Sequence, residues 1–260
     1  MRMARQRVWP AFLAVVVVAG CITACPRESI SESGPPFHTL LELETTARLL
    51  AILLDSGRAV INENHDWFER SDADSKARVL STFEQQVIDM FRTRSGIDLR
   101  DLASSRISEE AKQWLQTMLA VSIQVAVNPR SDVVRKDLLF TGLLPAVFGA
   151  RVANRFSELT GIRMKQTALA PRNPANAPDP FEMAALKSFA DPTHPREQSI
   201  SEVTAISQSL RLMYPLYMTR QCLVCHGEPK GELDKTGYPR EGVQLGQSAG
   251  AISVVIPLHK

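Results

Sequence analysis

The sequence predicts an α+β fold, and three observations carry that expectation. Apolar residues recur at helical spacing from Leu40 to Leu159. Segments of strand character follow from Ile162 to Leu258, separated by turn-rich stretches. A chain of 260 residues that is 44% hydrophobic buries a sizeable core, as one large domain or a domain with a helical extension. Helices first and strands later is the order of an α+β protein rather than of alternating βαβ units.

The first segment belongs to targeting rather than to the fold. Arg2, Arg5 and Arg7 precede a short apolar run from Trp9 to Ala19, and Val18-Ala19-Gly20-Cys21 resembles a bacterial lipobox. The run is too short for a confident membrane span. The expectation is cleavage before Cys21 and its acylation, which leaves a lipid-anchored protein on a periplasmic or outer-surface face. Ile22-Thr23-Ala24-Cys25 is a poorer match and makes Cys25 the fallback; an ordinary signal peptide or an uncleaved anchor with a Cys21–Cys25 disulfide is the alternative. Residues 21–38, with Pro35 and Pro36, read as a tether to a domain over 39–260.

Leu40, Leu43, Ala47, Leu50, Leu54, Gly57 and Ile61 form one helical stripe, with Gly57 its weak point. After a polar turn around Asp72 and Asp74, a second stripe of Leu80, Phe83, Val87, Met90 and Phe91 completes a helical hairpin. Ser108 with Glu109 and Glu110 caps a third helix that runs to about Val127 and stops at Asn128-Pro129. Core packing is the plain reading of these stripes. From Val133 to Leu159 the spacing is again helical, broken near Leu144, with a new helix starting close to Pro145. Ile162, Met164 and Ala168 alternate with Arg163, Lys165 and Thr167 as a half-buried strand. Pro174 and Pro178 rigidify a loop, Phe181–Phe189 is a short helix, and strands are expected at 202–208, 209–218 and 249–258.

Chemistry concentrates in Cys222-Leu223-Val224-Cys225-His226. C-x-x-C-H is the attachment signature of c-type haem: two thiols add to the porphyrin vinyl groups and the next imidazole binds the iron. A zinc site would want four ligands, and the other two cysteines lie in the export segment. A thioredoxin-like dithiol would want a βαβ setting and has no need of the His. One covalent haem c is therefore expected, with His226 proximal to the iron. Balanced charge, 30 basic against 28 acidic residues, speaks against a nucleic-acid partner.

The loop Arg172-Asn173-Pro174-Ala175-Asn176-Ala177-Pro178-Asp179 with Phe181-Glu182, the Cys222–Gly227 motif, the run from Lys230 through Thr236-Gly237-Tyr238-Pro239, and Gly250-Ala251-Ile252-Ser253-Val254 together resemble the Tll0287-like haem domain family. Gly57-Arg58-Ala59-Val60-Ile61 and Ser95-Gly96-Ile97-Asp98-Leu99 are similar to its amino-terminal helices. The resemblance spans most of 45–258. It implies a PAS-like antiparallel sheet with flanking helices around one c-type haem, in sensory or free-standing exported proteins, and no defined enzymatic activity.

Arg172 is a candidate partner for a haem propionate, with a staple to Glu182 as the alternative. Asn173 and Asn176 read as turn caps, and Gly227 as an exit from the motif or simply a turn. The opposite axial position stays open. A thiolate from an amino-terminal helix, which the resemblance would admit, is not available, since no cysteine lies between Cys25 and Cys222. Met213, Met218, His65 and His194 are the candidates, each with a plain alternative as core or solvated residue, and a site open to a diatomic gas is a further possibility.

Two function classes follow: a redox- or gas-sensing module that relays to a partner protein, and an electron carrier with two strong axial ligands exchanging electrons with a redox partner. A peroxidase-like enzyme is a weaker third. No Ser-His-Asp arrangement, phosphate-binding glycine loop or H-E-x-x-H motif supports other catalysis.

Overall fold

The computed structural model describes residues 37–64, 73–128, 143–204 and 208–258, all within the compact unit Pro35–Lys260. Cys21, Cys25, the tether before residue 37, His65, Asp72 and the apolar stretch 133–142 lie outside the described residues.

Four helices come first: α1 Phe37–Glu63, α2 Ala73–Ser95, α3 Glu109–Val127 and α4 Pro145–Thr160. Their ends follow the expected caps. Ser108 Oγ accepts the Ala111 N–H at 3.2 Å, and Pro145 opens α4 where a missing N–H costs nothing. Asp74 lies inside α2 rather than in the turn before it.

The stripe read along α1 understates it. Ala47, Leu50, Leu54 and Ile61 are buried as expected, but so are Leu49, Ala51, Ile52 and Leu53. The reason is position: α2, α3 and α4 pack on it from one side and the sheet from the other, and a helix enclosed on nearly every side is apolar on nearly every side. Its buried hydroxyls are satisfied one turn back, Thr46 on the Glu42 carbonyl and Ser56 on the Ile52 carbonyl, both at 2.7 Å. Asp55 then ties three elements together. It accepts from Arg58 and from Arg94 of α2, each at 2.6 Å, and Arg94 reaches Tyr214 Oη at 3.1 Å.

The sheet has four strands, β1 Arg163–Thr167, β2 Ile200–Thr204, β3 Ser209–Tyr217 and β4 Ser248–Pro257, in the order β1-β4-β3-β2 with every pair antiparallel. Leu210, Leu212, Tyr214 and Leu216 of β3 with Ile252, Val254 and Ile256 of β4 face α1. On the other face Met213 and Ala251 pack under Ala185, Leu186 and Phe189 of α5 Pro180–Ala190. This is the α+β arrangement the sequence predicts.

Two strands depart from expectation. β2 runs earlier than 202–208, ending at Thr204. In β1 Thr167 is buried on the face opposite Met164, beside Ala251 on the α5 side, and its hydroxyl donates to the Asn176 carbonyl at 2.8 Å and staples the Pro174 loop to the sheet, whereas Ala168 is only half-buried. No described helix is long and apolar enough to cross a membrane.

Candidate functional site

The motif follows directly on β3. Met218 N–H donates to the Gln247 carbonyl and Gly246 N–H to the Met218 carbonyl, both at 2.8 Å, so the pairing of β3 with the approach to β4 carries one step past the strand. The chain then coils: Cys222 and Leu223 N–H groups bond to Thr219 and Arg220 carbonyls, and α6 Leu223–His226 continues with His226 N–H on the Cys222 carbonyl at 3.0 Å. Residues three and four apart on a helical turn share a face, which is why C-x-x-C-H places two sulfurs and an imidazole together. Gly227 is required by space. A β-carbon there would lie 2.6 Å from the Leu223 carbonyl oxygen.

Both cysteines are free and half-buried. Cys222 Sγ lies 3.2 Å from Thr219 Oγ1 and 3.9 Å from Asn62 Nδ2, so the carboxy-terminal end of α1 meets the motif. Burial, and after it the negative charge of Asp234, pushes the Cys225 thiol pKa up.

Behind the imidazole stands a charged chain. His226 Nδ1 is 2.8 Å from Glu241 Oε2. Arg172 grips that carboxylate with a fork, Nε on Oε1 at 2.6 Å and Nη2 on Oε2 at 2.9 Å. Its Nη2 also donates to the Cys225 carbonyl at 2.9 Å, and its Nη1 to Asp234 Oδ2 at 2.7 Å. The guanidinium lies 5.4 Å from the Tyr238 ring centroid. Asp234 Oδ1 accepts from Thr236 N–H, Thr236 Oγ1 and Tyr238 N–H at 2.7, 2.6 and 3.1 Å, which fixes a turn around the motif. Burial works against the charge on Glu241, yet hydrogen bonds from Arg172 and His226 hold its carboxyl below the ordinary range. Asp234 is likewise held low by Thr236 and Arg172 against its burial.

An ionised carboxylate only accepts, so His226 Nδ1 is the donor, and in the neutral ring that tautomer leaves the Nε2 lone pair for a metal. The turn thus brings two thiol sulfurs and one imidazole together. Among the described residues no group of three His, Cys, Asp or Glu side chains is placed to hold a metal ion.

The other expected residues are distributed as follows. Arg172 pairs with Glu241 and Asp234 rather than with Glu182, which is held by Lys165 at 2.8 Å and Arg211 at 3.8 Å. Asn173 caps its turn, accepting the Ala175 N–H at 3.0 Å. Met213 is fully buried on the α5 side of the sheet, away from α1. The His194 ring packs edge-on to Phe189, and its Nε2 lies 2.9 Å from the Gln198 carbonyl. Met218 is half-buried between β3 and the motif. Glu241, Asp234 and Asn62 were not singled out by sequence. Only Asp234 carries a local signal, an Asp two residues before Thr in a turn ending in glycine.

A family profile described as Tll0287-like matches residues 100–257, from the 3₁₀ turn after α2 to the end of β4, and includes Arg172, the motif, Asp234 and Glu241. Among solved structures, one described as "Crystal structure of the cyanobacterial heme-protein Tll0287" is similar at 20% identity, over 57% of this chain and 91% of that one, with a TM-score of 0.40. No curated protein matches the chain. Because the profile covers more than half of the sequence and the whole of the motif, the chain belongs to the Tll0287-like family.

Proposed function

We propose that the protein is a mono-haem c-type protein that senses or binds through its iron, responding to redox poise or to a diatomic gas. The observation that carries this reading is the α6 turn: two free thiols and an imidazole on one face, with Nδ1 already committed to Glu241 and no hydrogen-bond partner on Nε2 among the described residues. The donor set fits haem c, since two thioethers and one axial nitrogen use every reactive atom the turn presents. The bound haem would supply a redox-active iron with a second axial position. The chain's own contribution is to hold Cys222 and Cys225 half-buried at the end of β3, to fix the ring of His226, and to bring α1 against the motif through Asn62.

Sensing is favoured over electron transfer because two of the residues that would close the second axial position are committed elsewhere. Met213 belongs to the α5 cluster, and His194 is engaged by Phe189 and Gln198. Met218 is the described residue that would make the site an electron carrier with two strong ligands. The test is an absorption spectrum of protein matured in a periplasm with haem-attachment machinery, oxidised, reduced, and reduced under carbon monoxide. A clear shift with carbon monoxide is expected; an unchanged low-spin spectrum would favour the carrier.

The same reading places the protein on a periplasmic or outer-surface membrane face through a lipid on Cys21. Labelling with a fatty acid analogue should be lost in Cys21→Ser. Label that survives there and disappears in Cys25→Ser would move the anchor.

A further inference from the structure

Glu241 is not a lone carboxylate behind His226. Its Oε2, the oxygen 2.8 Å from Nδ1, is the same oxygen that accepts Arg172 Nη2, and its Oε1 takes Arg172 Nε. The charge facing the imidazole is therefore what remains after Arg172 has paired with it. Arg172 in turn is fixed from two further sides, by the Cys225 carbonyl next to His226 and by Asp234, whose side chain is completely buried. A guanidinium needed only to join loops would be served by Asp234 and a backbone carbonyl. Here its fork lands on the group that orients the axial ring.

A carboxylate that accepts the Nδ1 proton of a metal-bound imidazole draws that proton toward itself and makes the ring a stronger donor, which favours oxidised iron. A cation on the far side of the carboxylate opposes this effect. We infer that Glu241 and Arg172 are positioning residues that hold His226 with Nε2 toward the haem iron and set its reduction potential, Arg172 acting through Glu241 and with opposite sign. This rests on the haem c reading above.

The experiment compares wild type with Glu241→Gln, Arg172→Gln and Arg172→Lys, each matured with haem-attachment machinery. Haem that stays on the chain after denaturing extraction is scored first, and the reduction potential is then measured by spectroelectrochemical titration. Glu241→Gln should raise the potential, and Arg172→Gln should lower it. Arg172→Lys keeps the charge without the fork and should lower it by less; it carries the test alone if Arg172→Gln fails to fold. Shifts of the same sign in Glu241→Gln and the Arg172 variants, or no shift, overturn the inference, because a merely structural staple would loosen the site alike from either end. A wild-type chain without covalent haem overturns the haem reading as well.

Discussion

Phe148 of α4 lies with its ring edge against the bare backbone of Gly57 in α1: a β-carbon at Gly57 would come 2.7 Å from Phe148 Cε1. The same ring meets Phe83 of α2 edge-on, centroids 5.8 Å apart. Three helices thus converge where one of them has no side chain, and the glycine that looks like a flaw in the α1 stripe is the socket for a fully buried phenylalanine. In an exposed helix Gly→Ala would gain about 1 kcal/mol of propensity. Here overpacking opposes it, at roughly 1–3 kcal/mol. Gly57→Ala should therefore lower the urea midpoint rather than raise it, and Phe148→Leu in the same chain should recover part of the loss. A Gly57→Ala protein more stable than wild type would show that the ring moves aside freely.

What could be read from the sequence follows the reach of local patterning. Both ends of α3 and the start of α4 were legible because their caps are local chemistry: Ser108 before two glutamates, Pro145 after a break, Asn128 at an end. α1 was legible as a helix but not as the centre of the fold, because a stripe records one face and not what packs behind it. The motif was legible from five residues. Its surroundings were not: Arg172 meets Asp234 and Glu241 across 62 and 69 residues, through irregular loops with no period to follow. Glu182 was the nearer acid in sequence, but α5 points it at its own cap and Lys165, so proximity along the chain chose the wrong partner.

That cap gives a pH prediction. Asp179 accepts the Glu182 N–H at 3.0 Å and pairs with Arg211, while Glu182 returns the bond to the Asp179 N–H at 2.9 Å. Burial raises the Asp179 pKa, but the Glu182 N–H and Arg211 outweigh it and hold the carboxyl below its ordinary value. A folded pKa below the unfolded one gives stability that is present above the unfolded value and is lost as pH falls through the folded value. Asp179→Ala should cost about 1 kcal/mol near neutrality. Asp179→Asn keeps the cap and should differ from wild type near neutrality but converge with it in acid. Urea titrations at both ends of that range check this, and a constant offset would mean that the charge of Asp179 contributes nothing.

Gly227 predicts a loss at the motif itself. With 2.6 Å between its would-be β-carbon and the Leu223 carbonyl oxygen, an alanine must either break the Gly227 N–H bond to that carbonyl, 2.9 Å in the native turn, or unwind α6. Either movement swings His226 relative to the two sulfurs. Haem staining of denatured Gly227→Ala protein should fall severalfold against wild type at equal expression. Cys222→Ala with Cys225→Ala should remove it altogether. Full staining of the double variant would sink the attachment chemistry, and full staining of Gly227→Ala would show that the turn tolerates the shift.

On the haem c reading proposed above, the two thiols must stay unpaired until attachment, although neighbouring sulfurs on a turn are prone to pair. A thiolate is the reactive form, and burial with Asp234 beside it keeps Cys225 as the neutral thiol to higher pH than an ordinary cysteine. The raised pKa means a smaller thiolate fraction at neutral pH, hence slower alkylation and slower oxidation, a condition that on the haem c reading would preserve the sulfur for attachment. In a haem-free Cys222→Ser chain, the rate of Cys225 alkylation by iodoacetamide should rise with a midpoint above that of the same chain unfolded in urea. Asp234→Asn should bring the midpoint down, because it removes a negative charge beside the sulfur and leaves Arg172 less neutralised. Equal midpoints in the folded and unfolded chains would mean that the site leaves Cys225 as reactive as any exposed thiol, and its protection before attachment would have to come from outside the protein.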